Sequence, residues 1–272
     1  MQVDSSDRGI DRVQHGAQGG PMVLPEAVVS PSLRANGSFL LPAYEMKFLL
    51  DAEQAGRIED WCARNLQRDP HGDPAMDGAY QTTSLYTDTT RWDVFRKSPG
   101  YERRKFRVRR YGDLPYLFVE RKSKNRNRVW KKRSVIDNDT LILLAAPTSP
   151  PDWSGRWFHE QLVRRGLRPS CRVTYHRKAW FGTTPDGLPL RVTIDRNIFG
   201  VPCNEWLLQP VREGRELFAG QAIIELKYRS ALPALFKQVI AAFSLVPSAA
   251  SKYRRCCETW GKSLNIQGAT SA

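Results

Sequence analysis

Six stretches of the chain carry charge at every second residue. They are Glu45-Met46-Lys47, Lys105-Phe106-Arg107-Val108-Arg109, Glu120-Arg121-Lys122, Lys131-Lys132-Arg133, Arg191-Val192-Thr193-Ile194-Asp195 and Glu225-Leu226-Lys227. In a β-strand residues i and i+2 share a face, so each stretch sends its charges one way while Met46, Phe106, Val108, Val192 and Leu226 point the other way. A half-buried sheet with one face in water has the same alternation. If the strands close into a barrel, the charged faces line a lumen, and a mostly basic lumen suits a polyanion.

The pattern between these strands places the other elements. Asp51 can cap a helix with Gln54 as its box partner, and Ala55, Ile58, Cys62 and Leu66 recur on one side, predicting a helix over about 51–67. A Pro- and Gly-rich loop, 71–78, leads to a strand over Tyr80 to Thr87. Strands over Arg103 to Tyr111, Tyr116 to Lys124 and Arg128 to Ile136 form an antiparallel meander, turning at Gly112-Asp113 and at 124–127. Short helices are expected over Asp139 to Ala146 and Trp153 to Gly166, on either side of a proline-rich break. Strands resume over Arg172 to Phe181 and Leu190 to Arg196, hinged at Thr184-Pro185-Asp186-Gly187. A last strand, Gln221 to Arg229, is followed by an amphipathic helix from Leu232 to Phe243 and a basic segment from Ser251 to Trp260. The fold class expected is α+β, an antiparallel sheet with helices packed outside it.

No sustained periodicity marks residues 1–40, which read as a disordered lead-in. Residues 41–260 have no composition break and read as one domain, with 261–272 as a polar tail. The chain has 272 residues, 41% of them hydrophobic, enough for a substantial core. Lys and Arg number 42 against 28 Asp and Glu, a net charge of +14, which implies an anionic partner but does not choose among nucleic acid, membrane surface and phosphate compounds. The 5 cysteines form no C-x-x-C pair and the 4 histidines are scattered, so neither a zinc site nor a disulfide framework is legible. The N-terminus lacks the pattern of a signal peptide, and the longest apolar stretch, 231–247, is broken by Lys237 and Gln238. A soluble cytoplasmic protein is the expectation.

The ordered series of motifs carries more than any single one. Glu45 and Lys47, Tyr86 to Thr89, Arg107 to Gly112, Glu120 and Lys122, Lys131 and Arg133, Tyr175 to Ala179, Arg191 to Asp195, Glu225 to Tyr228 and Ser251 to Tyr253 follow one another in an order that resembles the VTC domain. That domain is the catalytic part of vacuolar transporter chaperone polyphosphate polymerases, within the CYTH-like triphosphate tunnel metalloenzymes. The resemblance implies a closed antiparallel β-tunnel of about eight strands, open at both ends. It also implies a basic lining for triphosphate or polyphosphate and a divalent metal, Mg²⁺ or Mn²⁺.

Matched by position, Lys47, Arg107, Arg109, Lys122, Arg177, Arg191 and Lys252 correspond to the basic tunnel residues, Lys131 and Arg133 to phosphate binders on the next strand, and Glu225 to the metal-binding glutamate. Lys227 shares the Glu225 face. Glu45 and Glu120 are left open between metal ligand, base and ion-pair partner. Hydrolytic members of the superfamily begin Glu-x-Glu-x-Lys; here Ala43 stands at the first position, which favours the polymerase branch.

The function implied is transfer of the γ-phosphate of ATP to a growing polyphosphate chain. A tripolyphosphatase or nucleoside triphosphatase on the same fold and a non-catalytic polyanion-binding module are the alternatives. No specific nucleic-acid partner is expected, and a membrane-protein partner for the product is left open. Tyr86, Asp88 and Thr89 read as fixing a turn, and Trp61, Trp153, Trp157 and Trp180 as packing anchors. By alternation His176 lies outside the tunnel, and Arg254-Arg255 are a solvated helix face or a lid.

Overall fold

A computed structural model describes residues 39–125, 128–261, 263–264 and 266. Residues 1–38 of the expected lead-in, the tip of the 124–127 turn and most of the polar tail lie outside these residues, and positions 39 and 40, expected in the lead-in, already belong to the first strand. In chain order the elements are β1 (Phe39–Asp51), α1 (Ala52–Asn65), β2 (Gln67–Arg68), β3 (Tyr80–Asp88), α2 (Asp93–Arg96), β4 (Arg104–Tyr111), β5 (Tyr116–Asn125) and β6 (Arg128–Asp137). After a 3-10 segment, Asn138–Leu144, come α3 (Arg156–Arg165), β7 (Arg168–Thr183), β8 (Pro189–Pro202), β9 (Arg215–Glu216), β10 (Gln221–Tyr228), α4 (Ala234–Ala242) and α5 (Lys252–Thr259).

The sheet closes on itself. Going round it, the order is β7, β3, β4, β5, β6, β1, β10 and β8, and β8 pairs again with β7; β2 and β9 are short additions outside this ring. All these pairings are antiparallel, with Lys47 opposite Glu225, Arg107 opposite Glu120, Glu120 opposite Arg133 and Arg177 opposite Asp195. The alternating charges therefore fall in step from strand to strand on one face. The Gly112-Asp113 and Thr184 to Gly187 turns join strands as expected, and Asp51 caps α1 by accepting from Gln54 N at 2.8 Å.

The apolar faces turn outward and are covered. Phe48, Trp180, Val192, Ile194, Ile224 and Leu226 pack with Ala55, Ile58 and Cys62 of α1 and with Phe236 and Val239 of α4. Phe106, Val108, Leu117 and Val119 pack with Phe158 and Leu162 of α3. Each such side chain taken fully from water contributes about 1.5–3 kcal/mol, so burial of the outer face dictates that the charged face goes inward.

One helix is on the inside. Tyr253, Cys256 and Cys257 of α5 share a cluster with Tyr86, Cys171, Val173, Tyr175 and Ile223, whose strand parity is that of the lumen residues. The Tyr253 and Tyr86 rings lie 5.3 Å apart. Gly200 of β8 makes room for this helix, since a Cβ there would stand 2.7 Å from Cys256 Sγ. Thus α5 is seated within the end of the ring formed by β3, β7, β8 and β10.

Several elements differ from expectation for local reasons. The residues expected as a helix over 139–146 form the 3-10 segment, running into the proline-rich break, and α3 begins only at Arg156. β8 continues to Pro202 because Asn197 takes a left-handed turn (φ 51°) at a register shift against β7, which breaks the alternation without ending the strand. Trp180 is fully buried, and Trp61, Trp153 and Trp157 pack against the two cores. His176 lies off the lumen, its ring nitrogen beside Asn197 at 3.3 Å.

Candidate functional site

The lumen is built from four carboxylates and the cations that surround them. Glu120 on β5 is 1% exposed and is ringed by its neighbours: Arg107 Nη2 at 2.6 Å, Arg133 Nε at 2.5 Å, Lys131 Nζ at 2.7 Å and Arg109 Nη1 at 4.0 Å. Tyr111 joins this group, accepting at its hydroxyl from Arg109 and Arg133, each at 3.1 Å. Burial alone would raise the Glu120 carboxyl, but Arg107, Arg133 and Lys131 outweigh it and hold the group well below the usual carboxylate range.

A second group is centred on Lys47 of β1, whose ammonium lies 3.0 Å from Glu225 and 3.4 Å from Glu45. Lys227 closes on Glu225 at 2.8 Å and Lys122 on Glu45 at 2.7 Å. The contact between Lys122 and Glu45 joins β5 to β1 across the intervening β6, which places both side chains inside the ring. Both carboxyls are held below their ordinary range: burial opposes this, and Lys47, Lys122 and Lys227 prevail.

The third group is Asp195 of β8, fully buried, bound by Arg177 at 2.6 and 2.7 Å and by Lys252 of α5 at 2.5 Å. Arg177 and Lys252 both lie over the Tyr175 ring, 5.3 and 4.4 Å from its centroid. At the rim, Arg191 donates to the Tyr80 hydroxyl at 3.2 Å and stands 3.7 Å from Asp69. A cavity of about 1030 Å³ is lined by Glu45, Arg107, Arg109, Lys122, Lys131, Arg133, Arg177, Arg191 and Lys227, among others.

Compared with family models, residues 42–260 match the VTC domain. The chain belongs to the VTC domain family. No curated protein matches it. Among solved structures it is similar to a putative adenylate cyclase from Bacillus halodurans, at 11% identity over 79% of this chain and 97% of that one, with a TM-score of 0.47. It is similar also to a putative adenylyl cyclase from Hippeastrum, described with a dominant triphosphatase activity, at 12% identity over 85% of this chain and 100% of that one, TM-score 0.45. It is similar also to an inorganic triphosphatase, at 14% identity over 76% of this chain and 81% of that one, with a TM-score of 0.24.

In this VTC domain the thirteen candidate residues come together in the lumen or, for Lys252, on the helix seated in it. Three residues with structural parts in the site belong to the alternating stretches or motifs but were given no role of their own: Asp195, Tyr111 and Lys105. Each shares strand parity with a residue that was given one, Asp195 with Arg191 and the other two with Arg107 and Arg109, and that parity was the available signal. Asp88 works elsewhere, accepting from Thr89 N, Val94 N and Phe95 N at 2.7, 2.8 and 2.9 Å and from the Tyr253 hydroxyl, so it caps α2 from a distance and anchors α5. Arg254 and Arg255 are neither a free face nor a lid: they donate to Phe95 O at 2.6 Å and Leu217 O at 2.8 Å and tie α5 to its surroundings.

Among the described residues no group of three or more His, Cys, Asp or Glu side chains forms a ready-made metal cage. A Mg²⁺ or Mn²⁺ ion bound through one or two carboxylates, with substrate phosphates completing its shell, does not need one. Glu45 and Glu225 fit that requirement, since they flank a single ammonium and are held ionised. Thr193, opposite Glu225, adds a buried hydroxyl without a partner among the described residues. Glu120 fits less well, because Arg107, Arg133 and Lys131 all stand within 2.7 Å of its two oxygens and it is 1% exposed, whereas two lysines meet each of Glu45 and Glu225. No helix among the described residues is long and apolar enough to cross a membrane.

Proposed function

We propose that this VTC domain is a polyphosphate polymerase that transfers the γ-phosphate of ATP to the end of a polyphosphate chain within the ring. The observation that carries this reading is the concentration of Arg107, Arg109, Lys122, Lys131, Arg133, Arg177, Arg191, Lys227 and Lys252 on one inward face. Their charges outnumber Glu45, Glu120, Asp195 and Glu225, which leaves net positive charge for a polyanion. Guanidinium groups match phosphate oxygens bidentately, and the carboxylates hold them at fixed positions before substrate arrives.

Phosphoryl transfer needs alignment and charge stabilisation more than a protein nucleophile. Arg107, Arg109 and Arg133, splayed around Glu120, hold donor phosphates. Arg177 and Lys252, braced by Asp195, bind phosphate further along the lumen. The terminal oxygen of the acceptor chain attacks the γ-phosphorus, the bond to the β-phosphate bridging oxygen breaks, and ADP leaves with the negative charge it gains. Glu45 and Glu225 would hold Mg²⁺ or Mn²⁺, which supplies charge neutralisation on phosphate oxygens.

Incubating the purified chain with ATP and Mn²⁺ and resolving the products on a gel tests the reading. A ladder of long phosphate chains is expected. Orthophosphate as sole product would replace the polymerase with a triphosphatase, and binding without turnover would leave a polyanion-binding module.

A further inference from the structure

The lysines of the lumen are not equivalent. Lys47 meets Glu225 and Glu45, Lys122 meets Glu45, Lys131 meets Glu120, Lys227 meets Glu225 and Lys252 meets Asp195. Lys105 shares the Arg107 and Arg109 face of β4, and no carboxylate among the described residues stands at ion-pair distance from it. Its hydrogen-bond partner is the Ser251 hydroxyl, 2.7 Å away, at the N-cap of α5. Around it stand Lys122, its register partner on β5, Arg107 on its own strand, and Lys47 and Glu45 on β1. Burial and the three cations push its ammonium down to about 7, against a weaker pull from Glu45.

We propose that Lys105, with the Ser251 hydroxyl beside it, binds a phosphate group of the substrate, and that arrival of this anion puts a proton on the amine. A cationic cluster with no counter-charge at one member is completed by an anionic ligand, and Lys105 is the lumen lysine whose charge the protein itself does not neutralise. The amine takes its proton from solvent and becomes an ammonium; no bond to phosphorus is made or broken. The assignment rests on the tunnel being a site for triphosphate or polyphosphate, as proposed above.

Calorimetric titration of the full chain, without added metal, tests this with ATP in one arm and inorganic tripolyphosphate in the other. Buffers of contrasting ionisation enthalpy at about pH 8 count the protons taken up on binding, since free Lys105 is then largely neutral. The wild-type chain is expected to take up a proton with the ligand. Lys105→Arg, which keeps its charge at this pH, binds at least as tightly without that uptake. Lys105→Met loses the uptake and binds about tenfold or more weakly, the effect of removing a charged hydrogen-bond partner.

Proton uptake in both arms assigns the site to the phosphate chain common to both ligands, and uptake with ATP alone assigns it to the nucleotide. Undiminished uptake in Lys105→Arg, or wild-type affinity of Lys105→Met for both ligands, overturns the proposal. If the wild-type chain binds neither ligand, the tunnel reading fails and this assignment with it. If it binds both and the Lys105 variants change nothing, the assignment of Lys105 alone falls.

Discussion

Arg177 and Asp195 face each other across β7 and β8, joined by two parallel hydrogen bonds of 2.6 and 2.7 Å, with the carboxylate fully buried. Lys252 adds a third contact from α5, so one carboxylate fixes two cations that come from distant parts of the chain. Removing one partner of a buried pair leaves the other charge uncompensated. Asp195→Ala should therefore lower stability by about 3–5 kcal/mol, measured by denaturant unfolding. An unchanged unfolding midpoint would mean that Arg177 and Lys252 hold their positions without it.

The same residue gives a pH dependence. Its carboxyl is held at about 2, below its ordinary 3.8, with Arg177 and Lys252 overcoming the effect of burial. A depressed folded-state value contributes stability that is present above 3.8 and is lost as pH falls toward about 2. Glu120 and Glu225 act in the same sense. Unfolding free energy measured during acid titration should fall through this window, and Asp195→Asn should fall less steeply there. Parallel curves for the two proteins would refute the assignment.

Glu225 and Glu120 are both buried lumen acids, yet they should respond differently to metal. Glu225→Gln is expected to raise the Mn²⁺ concentration needed for half-maximal turnover by about tenfold or more, because an oxygen ligand loses its charge. Glu120→Gln should act through stability and the placing of Arg107 and Arg133, with little change in that concentration. Equal shifts for both variants would contradict the separation.

Gly200 tests the seating of α5. A methyl group there meets Cys256 Sγ at 2.7 Å, so Gly200→Ala should cost about 1–3 kcal/mol by overpacking. Adding Cys256→Ala removes the sulfur, and the double variant should be more stable than the sum of the single changes predicts. Strict additivity in thermal or denaturant unfolding would show that the two positions do not touch.

Lys105 carries a further consequence for the free protein. Its amine is pushed from 10.5 down to about 7 by burial and by Lys47, Lys122 and Arg107. Between those values the unfolded chain binds the extra proton, so this residue makes stability rise with pH across that range. Lys105→Met should flatten that rise relative to wild type. A pH profile of unfolding that keeps its slope in the variant would assign the effect to other groups.

Much of the ring was legible because strand alternation is local: Lys105 to Arg109 and Arg191 to Asp195 announce which side chains share a face without any knowledge of the neighbours. The family resemblance then said that the face turns inward. What alternation does not encode is which cation meets which carboxylate. Lys122 reaching Glu45 over β6, or Lys252 reaching Asp195 from a helix, depends on ring closure, and so does the isolation of Lys105. The continuation of β8 past Asn197 was hidden because a left-handed residue interrupts the period while the pairing resumes beyond it. The remote cap on α2 was likewise out of reach, since Asp88 lies before the turn, outside the usual capping position.

Closure through β1 also sets an order of assembly. The meander β3 to β6, apart from its link to β7, and the β7–β8 hairpin join neighbours in the chain, whereas β1 must find β10, pairing Tyr44 with Tyr228. Such distant contacts are expected to form late, after the entropy of closing a long loop has been overcome. Until then the basic faces of β4, β5 and β6 remain in water, where salt screens their mutual repulsion. The step that encloses those charges is the same one that delivers Glu45 and Glu225 among them, so the chain does not have to bury its cations before their counter-charges are at hand.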